Sequence, residues 1–292
     1  MAPSIRLLGP ADLPALERFF ARHPHTTLFF QGNLLAAGFE DRGEPMQGTY
    51  AGAFEDGDLV AVAASFWQGN LALECPRHLE PVARLALERS GRPLRGLLGP
   101  DAQVAAARRA LGVEGHPASL DSHEDLFALD LGALRVPEAL ASGRVRCRAV
   151  RDGELPLVTR WRVAYALEIL GARPGPELDA RSVREIEGLH ALGRHWLLED
   201  DGGPLAYSAF NAATPRCVQV GGVYTPPELR RRGCARCVVA GTLLEARARG
   251  ARDAVLFTDR GNHAAQAAYR ALGFERVGDF ALVLFQGSLD AR

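Results

Sequence analysis

The segment Cys217–Ala235, reading C-V-Q-V-G-G-V-Y-T-P-P-E-L-R-R-R-G-C-A, constrains this chain more than any other. Val218, Val220 and Val223 lie in an apolar, β-branched run that predicts a strand. Pro226 and Pro227 end it. Arg230, Arg231, Arg232, Gly233, Cys234 and Ala235 follow, and then a helical pattern begins. Ala235, Val238, Val239, Thr242, Leu243 and Ala246 recur at i, i+3, i+4, i+7, i+8 and i+11, and Gly250 stands where a C′ glycine belongs. A turn between a strand and a helix offers unpaired backbone N–H groups at the positive end of the helix dipole, a setting suited to phosphate. Gly233 and Ala235 have little or no side chain, so an anion can approach the backbone closely.

A second motif lies downstream. Ala254–Thr258 is a continuous apolar run, the signature of a parallel strand buried on both faces. With the preceding strand and helix it makes one crossover unit. Asn262 opens the next helix and has the residue type of an N-cap. Tyr269 stands two turns further on, on nearly the same face, where a core aromatic is the simplest role. Arg230-x-x-Gly233-x-Ala235 and Asn262-x-x-Ala265-x-x-x-Tyr269-Arg270-x-Leu272-Gly273-Phe274, in this order and spacing, resemble the acyl-CoA signature of the GNAT acetyltransferase superfamily. The resemblance covers about residues 145–285.

The first half repeats the pattern weakly. The order is strand, helix, hairpin strands (49–54, 59–66, 70–75), helix (79–90), strand (94–98), helix (101–110) and strand (126–131). Leu97–Asp101 through Arg109–Glu114 parallels Leu256–Asp259 through Arg270–Glu275. Cys75–Pro81 stands where the glycine-rich turn would be, yet holds no glycine. Arg108 occupies the place of Tyr269, and Asp101 that of Asn262. The expectation is an α/β fold with mixed sheets: a degenerate GNAT-like domain over 1–131, a linker over 132–143, and an intact GNAT-like domain over 144–292.

Composition excludes several functions. The net charge is −1, which speaks against a polyanionic partner such as nucleic acid. All 34 basic residues are arginine, so no lysine is available for acylation. The N-terminus lacks a signal-peptide pattern, and no apolar run reaches the roughly 18 residues of a membrane span. Five scattered cysteines fit a reducing cytoplasm. Cys234 and Cys237 form a lone C-x-x-C with no second pair, so metal is not expected. His23, His25, His116 and His123 lie in loops without metal-ligand spacing.

What the resemblance implies is acetyl transfer from acetyl-CoA to an amine. Backbone N–H groups of Arg231 to Ala235 would hold the pyrophosphate, and Arg230, Arg231 and Arg232 would add charge there. Val223, Tyr224 and Thr225 would expose main-chain groups to the pantetheine, with an N–H near Val223 on the thioester oxygen. Asn262 is counted with the cofactor-binding residues, and Tyr269 is the candidate general acid for the leaving thiolate. The general base is open. Cys217–Thr225 holds no carboxylate, Gln219 is its nearest polar residue, and Glu168 and Glu199 are candidates from elsewhere. The expected acceptor is a small-molecule amine, and the chain is expected to be a monomer or homodimer. A non-catalytic acyl-CoA sensor or scaffold is the alternative. Transfer from an aminoacyl-tRNA would want a basic channel that the composition does not advertise.

Overall fold

The computed structural model describes residues 2–290. In chain order its elements are β1 (Ser4–Leu7), α1 (Leu13–Arg22), α2 (Leu28–Ala37), β2 (Gly48–Glu55), β3 (Asp58–Phe66), β4 (Asn70–Glu74), α3 (Leu79–Ser90), β5 (Leu94–Gly99), α4 (Asp101–Ala110) and β6 (Ala118–Asp130). Then come α5 (Glu138–Ala141), β7 (Arg146–Ala149), α6 (Leu155–Glu168), α7 (Pro176–Ala191), β8 (His195–Asp200), β9 (Gly203–Ala213), β10 (Cys217–Tyr224), α8 (Cys234–Ala248), β11 (Asp253–Asp259), α9 (His263–Leu272) and β12 (Glu275–Leu289).

These elements fold into two compact units. The first comprises the residues up to Asp125 and those from Gly278 onward; the second is Leu126–Val277. The structure thus divides the chain differently from the expected 132–143 segment, which lies inside the second unit. Its apolar residues explain this. Leu134 is buried in the second unit's core beside Phe127, Leu129 and Leu131, and Ala139 and Leu140 pack onto that core. A stretch so committed cannot act as a free linker.

In the first unit the strands run β1-β2-β3-β4-β5-β12. β1 to β4 form an antiparallel meander, β4 and β5 are parallel, and β5 pairs antiparallel with Ala281–Leu284 of β12. Its core joins Leu71, Leu73, Val82, Leu87, Leu97 and Val104 to Ala281, Val283 and Phe285. The C-terminal strand therefore returns to complete the sheet of the N-terminal unit.

In the second unit the order is β6-β11-β10-β9-β8-β7. β7 to β10 are antiparallel, and α8 crosses over to make β11 parallel to β10. The two faces are covered separately. α8 packs on Trp196, Leu198, Phe210, Val218, Val220 and Leu256. On the other face, Val158 and Ile186 from α6 and α7 meet Leu197, Tyr207 and Ala209. Each unit thus repeats one plan: a meander, a turn, a crossover helix, a parallel strand and a further helix.

Candidate active site

Residue chemistry builds the site around the end of β10. Pairing of β10 with β11 runs from Cys217↔Asp253 to Val220↔Leu256 and ends there, while β10 continues to Tyr224. On its other edge β10 stays with β9, but between Gly221↔Ala209 and Tyr224↔Tyr207 it carries one extra residue. That is a β-bulge, and it bends the strand. Gly222 makes the bend with φ at +60°, a region closed to most side chains. Gly221 is also required: a Cβ there would fall on the side chain of Asn211, the extra residue on β9. Two adjacent glycines therefore leave the Gly221–Val223 backbone bare on the side facing β11.

Past the strand, Arg230 anchors the turn. Its Nε donates to the Thr225 carbonyl at 2.9 Å, and its two terminal nitrogens hold both Glu168 oxygens at 2.6 and 2.7 Å. Its guanidinium also lies 5.9 Å from the Tyr224 ring centre. The expected assignment of Arg230 to phosphate thus meets a guanidinium already engaged within the protein. Arg231 and Arg232 are exposed and make no side-chain hydrogen bond or ion pair among the described residues. Arg231 is held at φ +64°, an uncommon conformation for a residue with a side chain. Gly233 follows at φ +81° as the N-cap of α8, with no side chain capping the helix. Cys237 N–H closes the first turn onto the Gly233 carbonyl at 3.1 Å. The N–H groups of Cys234, Ala235 and Arg236 are the orphan donors that any helix start leaves, and they follow the exposed Arg231 and Arg232 closely in sequence.

Asn262 performs the local role that its type suggests: its Oδ1 accepts from Ala265 N–H at 3.1 Å. Tyr269 is half-buried against the α8-side core, which Val223 also touches, and sits edge-on to Phe274 at 6.0 Å. α9 packs along α8.

The carboxylates offered as bases are both committed. Arg230 hydrogen-bonds Glu168 and holds its carboxyl below the usual range. Glu199 is pulled down by Arg148, which reaches it at 2.5 Å and holds Glu154 as well. Neither is suited to accept a proton at neutral pH. On the strand itself, Gln219 is 2% exposed and its Oε1 has no partner among the described residues; Thr225 Oγ1 shares that state. Buried polar atoms without partners are rare; Gln219 lies near the start of β10 and Thr225 just past its end, so only Thr225 adjoins the bulge.

Sequence reasoning missed a set of side chains on the α6–α7 face. His190 ends α7, His195 opens β8, and Tyr207 lies on β9 opposite Tyr224. They are linked by hydrogen bonds, and the Tyr207 ring passes beside Gly222. The available signal was a histidine opening an apolar strand whose hairpin partner carries a tyrosine.

The corresponding turn of the first unit is closed by side chains. His78 takes the left-handed N-cap place at φ +52° and meets Glu55 at 2.6 Å, which Arg77 also binds. Gln103 Oε1 accepts from Cys75 N–H. Arg108 pairs with Asp121 and Asp101 with His123. Among the described residues the five cysteines are free thiols, no group of three or more His, Cys, Asp or Glu is placed to hold a metal, and no helix is long and apolar enough to cross a membrane.

Residues 160–274 match the acetyltransferase (GNAT) family. No curated protein matches the chain. Among solved structures, a Drosophila protein superposes with a TM-score of 0.69 at 11% identity, covering 97% of this chain and 99% of that one. An acetyltransferase of the GNAT family from Colwellia psychrerythraea gives 0.54 at 15% identity over 97% and 100%. A tandem GNAT protein from the clavulanic acid biosynthesis pathway gives 0.51 at 17% identity over 98% and 100%. At these identities the likeness is one of fold.

Proposed function

We propose, from the match of residues 160–274 to the GNAT acetyltransferase family, that this protein moves an acetyl group from acetyl-CoA to the nitrogen of a small-molecule amine. The observation that carries this reading is the bare backbone of Gly221–Val223, followed by an uncapped helix start at Gly233. The first can pair with amide groups of a pantetheine as an added strand would. The second offers N–H donors and a positive dipole to a diphosphate, with Arg231 and Arg232 as added charge. Acetyl-CoA fits this arrangement, and it supplies an acyl group already activated as a thioester.

The protein's own groups then have defined tasks. The N–H near Val223 stabilises the oxygen on which negative charge develops. Tyr224 and Thr225 line the splayed edge, and the buried hydroxyl of Thr225 is available there. Tyr269, which carries a phenol hydroxyl, is the general acid for the departing sulfur. The net charge of −1 and the closed turn of the first unit support a small acceptor bound by the second unit rather than a nucleic acid. We assign the protein no membrane association and a reducing, cytoplasmic setting in keeping with its free thiols.

The test has two arms. Calorimetry should register coenzyme A binding, and thiol release from acetyl-CoA should depend on an added amine. Tyr269→Phe is expected to lower kcat on the order of 10²-fold while leaving coenzyme A affinity within about twofold. An unchanged kcat removes Tyr269 from the mechanism. The missing carboxylate on β10 favours one second reading, a non-catalytic acyl-CoA sensor. Binding without amine-dependent thiol release across an amine panel would select it.

A further inference from the structure

Acetyl transfer needs the acceptor nitrogen unprotonated, and an alkylamine arrives at neutral pH as an ammonium ion. Neither Glu168 nor Glu199 is suited to take that proton, and β10 carries no carboxylate. The α6–α7 face holds another route. Tyr207 is 3% exposed, and a Cβ placed on Gly222 would stand 3.8 Å from its ring. Its hydroxyl lies 3.3 Å from His195 Nδ1. His195 Nε2 lies 2.9 Å from His190 Nδ1, and His190 Nε2 lies 2.8 Å from Asp152 Oδ1. His195 is 2% exposed, whereas the Asp152 side chain is 96% exposed. The hydrogen-bonded chain thus runs from the hydroxyl of Tyr207, whose ring edge passes beside the β10 bulge, to the exposed Asp152.

We propose that Tyr207, His195, His190 and Asp152 form the exit by which the acceptor's proton leaves the site; this rests on the acetyl-transfer reading above. The hydrogen-bond order follows from the outer end. A carboxylate only accepts, so His190 carries its proton on Nε2 and presents a bare Nδ1. His195 then donates from Nε2 and presents a bare Nδ1 to the Tyr207 hydroxyl. Every donor points outward. The shift balances: an ammonium N–H proton passes to the Tyr207 oxygen as the Tyr207 proton passes to His195 Nδ1. The His195 Nε2 proton moves to His190 Nδ1, and the His190 Nε2 proton goes to Asp152 or water. One proton enters, one leaves, and the amine lone pair is freed.

The surroundings suit this role. Val150, Val158, Ile186, Leu197 and Ala209 enclose Tyr207. Burial, with His190 beside it, lowers the His195 pKa to about 4, which keeps the ring neutral and able to accept at Nδ1. The charged groups facing Tyr207 are Arg162 of α6 and Glu185 of α7; they pair with each other at 2.6 Å and act on the phenol in opposite senses. Asp152 is the carboxylate paired with His190.

The experiment compares an alkylamine with an arylamine that is already neutral at pH 7. Both are assayed by thiol release in the wild-type protein, His190→Ala and Tyr207→Phe. His190 lies at the half-buried end of the chain, so its variant should fold. For His190→Ala we expect kcat/KM for the alkylamine to fall on the order of 10²-fold, with partial rescue by added imidazole. The arylamine should change by less than about threefold, and coenzyme A binding should persist. An equal loss for both amines, or no loss for the alkylamine, overturns the exit. A wild-type protein that acetylates no amine overturns the acetyl-transfer reading itself and the exit with it. As a readout independent of turnover, ¹⁵N spectra of the wild-type protein should show His195 Nδ1 bare; a protonated Nδ1 there overturns the assigned hydrogen-bond order.

Discussion

Arg230 and Glu168 lie 62 residues apart and meet through two charge-assisted hydrogen bonds. Both are more than a third exposed, so the pair adds under about 1 kcal/mol to stability. Its effect is positional: it ties the phosphate-type turn to the end of α6 and leaves Arg231 and Arg232 as free charge. Gly233 fixes the same turn by conformation. Gly233→Ala would force a side chain to φ +81° and set a Cβ 3.3 Å from Arg236. A cost of about 1 kcal/mol is expected from the left-handed backbone alone, together with weaker coenzyme A binding in calorimetry. His195 gives the clearest pH signature. Its folded-state pKa is about 4, below the ordinary value of 6.5. Between these values the unfolded chain binds more protons than the folded one, so this contribution to stability is present above about 6.5 and is lost as pH falls towards about 4. Thermal melts across that range should show the loss, and His195→Gln should flatten it.

At the scale of elements, α8 departs from the amphipathic pattern. Cys237, Val238, Val239, Ala240, Gly241, Thr242 and Leu243 are buried in succession. A glycine inside a helix normally costs about 1 kcal/mol against alanine, so propensity alone predicts that Gly241→Ala stabilises. Packing reverses the sign. A Cβ on Gly241 would fall on Cys147 Cβ of β7, with its Sγ close by. Overpacking of this kind costs about 1–3 kcal/mol. Chemical denaturation should therefore place Gly241→Ala below the wild type; greater stability would mean that α8 can move off β7. The same closeness explains the buried C-x-x-C. Cys234 and Cys237 serve as small apolar residues, and burial raises both thiol pKa values. α2 carries no distinct helical stripe, since apolar residues flank Gln31, Gly32 and Asn33 on both sides, and no periodic pattern marks it in the sequence.

At the scale of the whole chain, the second unit is one continuous stretch, whereas the first is completed by a strand that follows the second unit in sequence. β6 passes into the second unit at Leu126, and residues from Gly278 return to the first. Cutting at the glycine- and proline-marked segment therefore removes core. A fragment of residues 144–292 would lack Phe127, Leu129, Leu131 and Leu134. It is expected to be insoluble or to melt without cooperativity, whereas residues 126–277 should keep a cooperative transition by circular dichroism. The reverse ranking would show that these four side chains are dispensable.

Local chemistry alone determined the strand–turn–helix at 217–250, the Asn262 cap, the hairpins and the parallel β10–β11 crossover. Each is written in neighbouring residues: β-branched runs, paired prolines, glycines at left-handed positions and a 3.6-residue period. Only the tertiary structure decided that β12 pairs with β5, that Glu168 meets Arg230, and that Asp152, His190, His195 and Tyr207 form one connected set. A period of two marks a strand but not its partner, and a charge or an imidazole carries no address. Those pairings depend on which surfaces the packed core brings together, and that is a property of the whole chain.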